Sequence, residues 1–335
     1  MTYTAGSNIV VTDYNGFLTP PNGGNPAIND IWFRHDGGVP SSGWGQTALT
    51  VRSVGDQVTA AQWASLVNTL TSMGSQTGTT ITSRSAPVAG NNINILSEVL
   101  TDITTCNTNR GNAVSSGSQY TGWTGTNSRT ADWNPASPGP TSVLRFTNTI
   151  TFPSADQARY FWNAGGLVKI QVSKTSTGNT GDPEWNDLAS TLCGAIWVSG
   201  RVNAAAQTIA GTSYSGVKQV GGTGTPTTLS TTHGWFALSS GPGNAIIVYK
   251  QFADTAPYTS NYIQHSLNRN TSLTTLTIVT DWANVDGDTI TGGTAASGAT
   301  PGTAPCTIVT YYPPSTTYLT NSWGTPTVAA TTITA

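Results

Sequence analysis

Apolar and polar positions alternate most cleanly on either side of one short break. Over residues 143–152, Leu144, Phe146, Ile150 and Phe152 take alternate places, with Arg145, Thr147, Thr149 and Thr151 between them. A period of two with one apolar face predicts a half-buried strand. Val168, Ile170 and Val172 alternate with Lys169 and Gln171 in the same way. Between the two strands, Ser154 and Gln157 have the S-x-x-Q spacing of a capping box, in which a hydroxyl and a carboxamide satisfy free amides of a helix's first turn. A helix of about two turns is predicted from Ser154. Asn163-Ala164-Gly165-Gly166 tolerates the positive φ of a left-handed turn and ends it. The unit over 151–172 is therefore strand, short helix, strand, with Phe161 and Trp162 placed to plug the end of a sheet.

A helical period appears upstream. Thr59-Ala60-Ala61-Gln62 is a second capping box, and Trp63, Leu66, Val67, Leu70 and Met73 follow at i, i+3, i+4, i+7 and i+10. Gly74 is expected to close this helix. Leu96, Val99, Leu100 and Ile103 repeat the spacing, which predicts a second helix from near Asn92 to Cys106, and the two apolar stripes suit a helical hairpin. Before them, residues 9–11 read as a short strand, 13–16 and 20–24 as turns, and 36–46 as a glycine-rich loop. Ile28, Ile31, Trp32 and Phe33 fit a strand or one helical turn equally. Residues 1–110 thus form an expected N-terminal α+β docking unit. Glu98 and Asp102 lie one turn apart, and a solvated helix face accounts for them better than a catalytic carboxylate pair.

Residues 111–140 are rich in Ser, Gly, Asn and Pro and read as a connection. Tyr120, Trp123 and Trp133 lie in it, either pinning the segment to a neighbouring domain or subunit or forming an aromatic patch for sugar. Pinning is the preferred reading, since large aromatics are seldom left in water. In residues 141–335, Asp182-Pro183-Glu184 starts a helix with Trp185, Leu188 and Leu192 on its apolar edge, ended by Gly194. Strands are predicted at 195–202, 234–238, 245–252, 262–267, 273–281 and 307–312. So many short strands, with helices only at the edges, predict a mainly β (α+β) chain whose larger part is a β-sandwich-like domain. The tail from Ser322 onward is an extended segment, either a sheet's edge strand or an arm over an adjacent subunit.

The run Tyr160-Phe161-Trp162-Asn163-Ala164-Gly165-Gly166 resembles a motif of tailed-bacteriophage virion structural proteins. The usual pattern has two phenylalanines before the asparagine, and Trp162 keeps the aromatic bulk. Asp13-Tyr14-Asn15, Gly43-Trp44-Gly45-Gln46 and residues 58–63 resemble the opening segment of that family, with Trp44 where tyrosine is more usual. Trp185-Asn186-Asp187-Leu188 and Tyr258-Thr259-Ser260-Asn261-Tyr262 resemble its later blocks. The resemblance implies a scaffolding role in a virion assembled in the host cytoplasm, in a tail fibre, baseplate or collar. It also implies contacts with other virion proteins and with copies of itself, expected as a trimer. Ser154, Gln157, Phe161, Trp162, Asn163, Gly165 and Gly166 are then a structural motif, and Trp63, Leu66, Val67 and Leu70 pack helices. Two alternatives stand: a receptor-binding fibre or tip that contacts host-surface glycan, and a capsid decoration or head-fibre protein.

Composition narrows the picture. Only 8% of the 335 residues are charged, and the net charge is −2. With no basic cluster, phosphate neutralisation has no footing, which argues against nucleic acid. A surface this neutral draws solubility from Ser, Thr and Asn, or is covered by partners. The first ten residues lack the pattern of a signal peptide, and no apolar run approaches the roughly 20 residues of a membrane helix. Cys106, Cys193 and Cys306 have no ligand spacing and are expected to be small buried hydrophobes.

The motifs for hydrolase elbows, phosphate loops, dinucleotide turns and zinc helices do not occur. His35, His233 and His265 are far apart, and His35 beside Asp36 reads as a surface loop. Asp281, Asp286 and Asp288 offer oxygens near a glycine turn, yet the bidentate glutamate of a calcium loop is missing, so a turn between strands is preferred. A polysaccharide-cleaving enzyme would need two tuned carboxylates, and the chain lacks the repeat of a β-helix. The expectation is no enzyme, no cofactor and no metal.

Overall fold

Helix capping and strand alternation set the framework. The computed structural model describes residues 11–19, 26–33, 43–88, 98–114, 124–129, 142–175, 182–201, 206–241, 243–256, 258–285 and 303–334. Its helices are α1 (Val11–Leu18), α2 (Ile28–Trp32), α3 (Ala60–Thr77), α4 (Val99–Asn109), α5 (Ala155–Asn163) and α6 (Asp182–Asp187). α3 carries the predicted capping box, with the Thr59 amide donating to Gln62 Oε1 at 2.7 Å. Its apolar stripe, Trp63, Leu66, Val67, Leu70 and Met73, is buried.

Several elements differ from expectation. Residues 11–18 form a helix where a strand end and a turn were expected, because Tyr14 and Phe17 gain edge contacts with Trp63, at ring-centroid distances of 5.3 and 6.3 Å. Burial of two aromatics outweighs the turn preference of Asn15-Gly16. Helix α3 does not stop at Gly74. It runs to Thr77 and ends at Gly78, which has φ +66°. Gly74 instead admits the returning chain, since a Cβ there would lie 3.1 Å from the Thr79 carbonyl oxygen. α4 reaches Asn109, and the expected helix start at 92–97 lies outside the described residues. Asp102 is not solvated. It pairs with Arg84 at 2.6 Å, both side chains under a tenth exposed, and also accepts from the Thr82 amide. A neutralised, hydrogen-bonded carboxylate tolerates burial, and this one straps residues 82–84 to the helix.

Two antiparallel sheets make up the rest. One has the order β1 (Thr124–Ser128), β12 (Thr303–Tyr312), β3 (Leu167–Thr175), β4 (Ala195–Val198), β7 (Val217–Val220). The other runs β13 (Thr327–Thr334), β2 (Ser142–Thr151), β11 (Thr275–Asn284), β10 (Tyr262–Arg269), β9 (Ile246–Phe252), β8 (Thr228–Leu229). A small hairpin joins β5 (Gln207–Ile209) to β6 (Thr212–Tyr214). The architecture is β-sandwich-like, as the strand pattern predicts. Inward residues of both sheets, among them Leu144, Phe146, Val168, Ile170, Ile278 and Val309, share one hydrophobic core with Trp44, Trp63 and Met73 of the N-terminal part.

β1 lies inside the stretch read as a connection, and Ala113 bridges to Ile209. Residues 234–238, expected as a strand, make one 3-10 turn at Trp235–Ala237, which lays the Trp235 ring on Trp162 at 5.7 Å and 17°. The tail forms β13, the edge strand of the larger sheet. α6 continues into a π-helical turn at Leu188–Leu192, which Gly194 ends with φ +62°.

Candidate functional site: a sealed junction at the end of α5

α5 is built as its sequence predicts. The Ser154 hydroxyl accepts from the Gln157 amide at 3.1 Å and donates to Gln157 Oε1 at 3.2 Å. At the other end the Gly166 amide donates to the Phe161 carbonyl at 2.8 Å and the Gly165 amide to that of Trp162 at 3.4 Å. This is the paired closure of a Schellman turn, for which Gly165 takes φ +98°. Both glycines are also spatially required: an added Cβ would lie 2.5 Å from Ala113 Cβ at Gly165, and 2.4 Å from the Phe161 ring at Gly166.

The aromatic pair plugs the core. Phe161 and Trp162 are fully buried and meet edge to face at 4.9 Å. Phe152 is 5.1 Å from Phe161, and Tyr311 meets that ring edge to face at 6.0 Å. With Trp235, stacked on Trp162, side chains from four segments form one aromatic cluster.

Asn163, the last residue of α5, turns this plug into a polar junction. Its Nδ2 donates to the Gly43 carbonyl at 3.1 Å, and its Oδ1 accepts from Arg201 Nη2 at 3.1 Å. Gly45 must be glycine, since it has φ +69° and a Cβ would overlap the Tyr160 ring at 2.4 Å. Trp44 Nε1 donates to the Arg110 carbonyl at 3.3 Å. Gln46 forms a two-way amide pair with Thr320, accepting from its amide at 2.8 Å and donating to its carbonyl at 3.0 Å. Gln207 Nε2 donates to Gly111 at 2.8 Å and to Trp162 at 3.3 Å, and Gln76 donates to Ala164 at 3.1 Å.

Four carboxamides thus bind main-chain carbonyls from distant parts of the sequence, and a guanidinium holds the oxygen of one of them, Asn163. Burial pushes the Arg201 guanidinium down to about 10, with nearby Arg110 adding repulsion, so it stays charged at neutral pH. Gln46, Gln76, Gln207 and Arg201 carry no periodic signal, which is why sequence reasoning missed them. Glutamines beside aromatic–glycine turns are the one hint. Gln46→Ala is expected to cost about 1–3 kcal/mol and to speed amide exchange at residues 319–324 selectively, measured by hydrogen exchange.

The remaining candidates fall elsewhere. Tyr120, Trp123, Trp133, His35, Asp286 and Asp288 lie outside the described residues. Asp281 sits in β11 and not in a turn, where Arg145 grips it through Nε at 2.6 Å and Nη2 at 2.8 Å, and Gln264 donates to it at 3.0 Å. His265 is buried, 3.0 Å from the Thr280 hydroxyl and stacked on Tyr249. His233 meets Ser230 and Thr232. Cys106 and Cys193 are buried free thiols, each pushed up to about 12 by desolvation, and Cys306 is half-buried. Among the described residues no group of three or more His, Cys, Asp or Glu is placed to hold a metal, and no helix is long and apolar enough to cross a membrane.

Comparison of the chain with family models finds no match, and the same holds for curated proteins and for solved structures.

Proposed function

We propose that this chain is a non-catalytic structural component of a tailed-bacteriophage virion. It is tail-associated, in a fibre, baseplate or collar, and assembles through contacts with its own copies and with other virion proteins. The observation that carries this reading is the sealed junction. The segments that resemble the virion family, Gly43 to Gln46 and Tyr160 to Gly166, are far apart in sequence yet hydrogen-bond each other out of reach of solvent. The Tyr14 and Trp63 segments meet in the same core. Motif residues spent on packing suit a scaffold, because a catalytic group must reach its substrate. The test is mass spectrometry of purified particles made from the encoding genome, with antibody labelling to locate the protein. Peptides of the chain at structural stoichiometry are expected, and their absence from particles overturns the reading.

One observation favours a second reading, contact with host-surface glycan. On the half-buried face of the five-stranded sheet beside the β5–β6 hairpin, where Trp197 and Tyr312 pack against Ile209 and Tyr214, the register sets Lys169, Trp197 and Lys218 side by side, with the Tyr312 and Tyr214 rings 4.9 and 6.4 Å from Trp197. Half of the chain's four lysines flank one tryptophan. Aromatic faces accept sugar C–H groups and the ammonium groups attract an acidic sugar. On this reading Trp197→Ala weakens binding to cells or acidic glycans by about tenfold or more. Failure of the unaltered protein to bind either removes it.

A further inference from the structure

β13 borders the six-stranded sheet, and its outward side pairs with no strand among the described residues. The other three borders are tied or short. β7 has four residues and is tied at its start, where the Val217 amide donates to the Ser230 carbonyl at 3.0 Å. β8 is two residues long. β1 has five residues and is tied down, with Asn127 Nδ2 donating to the Thr147 carbonyl of the opposite sheet at 2.9 Å. β13 runs for eight residues.

A long open border presents a row of unpaired N–H and C=O groups, and the group that satisfies such a row is another extended strand. Proteins usually guard such borders with lysine, proline or inward charges. Residues 327–334 carry no charge and no proline. Their one guard is a bulge between Ala330 and Thr332, pinned by the Thr331 hydroxyl on the Thr147 carbonyl at 3.1 Å. Val328 and Ile333 turn toward the chain's own core, opposite Ile150 and Phe146, while Ala329 and Thr332 are exposed.

We infer that β13 is the docking border for a second copy of this chain. Two β13 strands pair antiparallel across a twofold axis, so that two six-stranded sheets join into one. Self-pairing sets identical side chains against each other, which charged strands resist and this neutral, small-residue strand does not. The inference rests on the assembly reading above, and it sets a dimer contact where the resemblance implies a threefold ring.

The experiment is sedimentation of the full chain over a dilution series, paired with hydrogen exchange at high and low concentration. A monomer–dimer equilibrium is expected, with β13 amides gaining protection on concentration. Ala329→Lys with Thr332→Lys, both on exposed positions, weakens the dimer about tenfold or more while leaving the thermal melt of the monomer in place. Thr228→Lys on the β8 border leaves the dimer unchanged. A monomer at all concentrations, a trimer, or a dimer indifferent to the β13 lysines overturns the inference. A β13 dimer in a protein missing from particles sinks the virion reading alone, and a particle-borne trimer sinks the dimer contact alone.

Discussion

Phe161→Ala is expected to lower unfolding free energy by about 3–5 kcal/mol, the range for deleting a fully buried aromatic. Stabilities of ordinary domains are about 5–15 kcal/mol, so this one change removes a large share. Phe161 contacts Phe152, Trp162 and Tyr311, and its ring fills the space that a side chain at position 166 would need. That last contact supplies a sharper test than the loss itself. Gly166→Ala alone forces a Cβ into the ring and is expected to cost about 1–3 kcal/mol. In the Phe161→Ala background the same change meets a cavity and costs almost nothing. Urea titrations of the two single variants and the double variant measure the coupling. Additive losses would show that the helix end and the aromatic plug are independent, against the unit described for α5.

Acidification is the second large effect. His265 is buried, and desolvation pushes its imidazole down to about 3, with the Asp281 carboxylate pulling weakly upward. An unfolded histidine titrates near about 6.5. The folded group is therefore depressed, and the stability it contributes is fully present above the unfolded value. As pH falls from about 6.5 toward 3, the unfolded chain takes up a proton that the folded chain refuses. Stability then drops by roughly 1.4 kcal/mol per pH unit from this one residue. Thermal melts between about pH 7 and about pH 4 are expected to fall steeply. His265→Gln keeps a partner for Thr280 and removes this contribution to the slope. If the variant and the parent lose stability in parallel, His265 is not the titrating group.

Local rules carried much of the fold into the sequence. The capping residues Thr59 and Ser154 act as their spacing predicts, as do the alternation through Leu144, Phe146 and Ile150 and the positive φ at Gly165. Each depends on neighbours within a few residues. What escaped depends on partners far along the chain. α1 forms because Trp63 is there to cover Tyr14, and Asp102 is buried because Arg84 returns to it. Gly74 is helical because residues 79–81 fold back over it. The junction was half legible: Asn163 and the two glycines stand out as a motif, but Gln46, Gln207 and Arg201 look like ordinary surface residues until the chain is folded. Asn148 shows the same limit within a strand, since it occupies an inward position of β2 yet is fully buried and held by Asn127.

The amide pair between Gln46 and Thr320 spans 274 positions. At ribosomal speeds of about 5–20 residues per second, a nascent chain waits roughly 14–55 s after making Gln46 before its mate is synthesised. Throughout that interval the early segments lack the clasp that completes them, so this part of the growing polypeptide stays open to chaperones and proteases until Thr320 is made. A chain cut ahead of Thr320 lacks this clasp altogether, and the backbone at Trp44 to Gln46 is expected to lose protection with it.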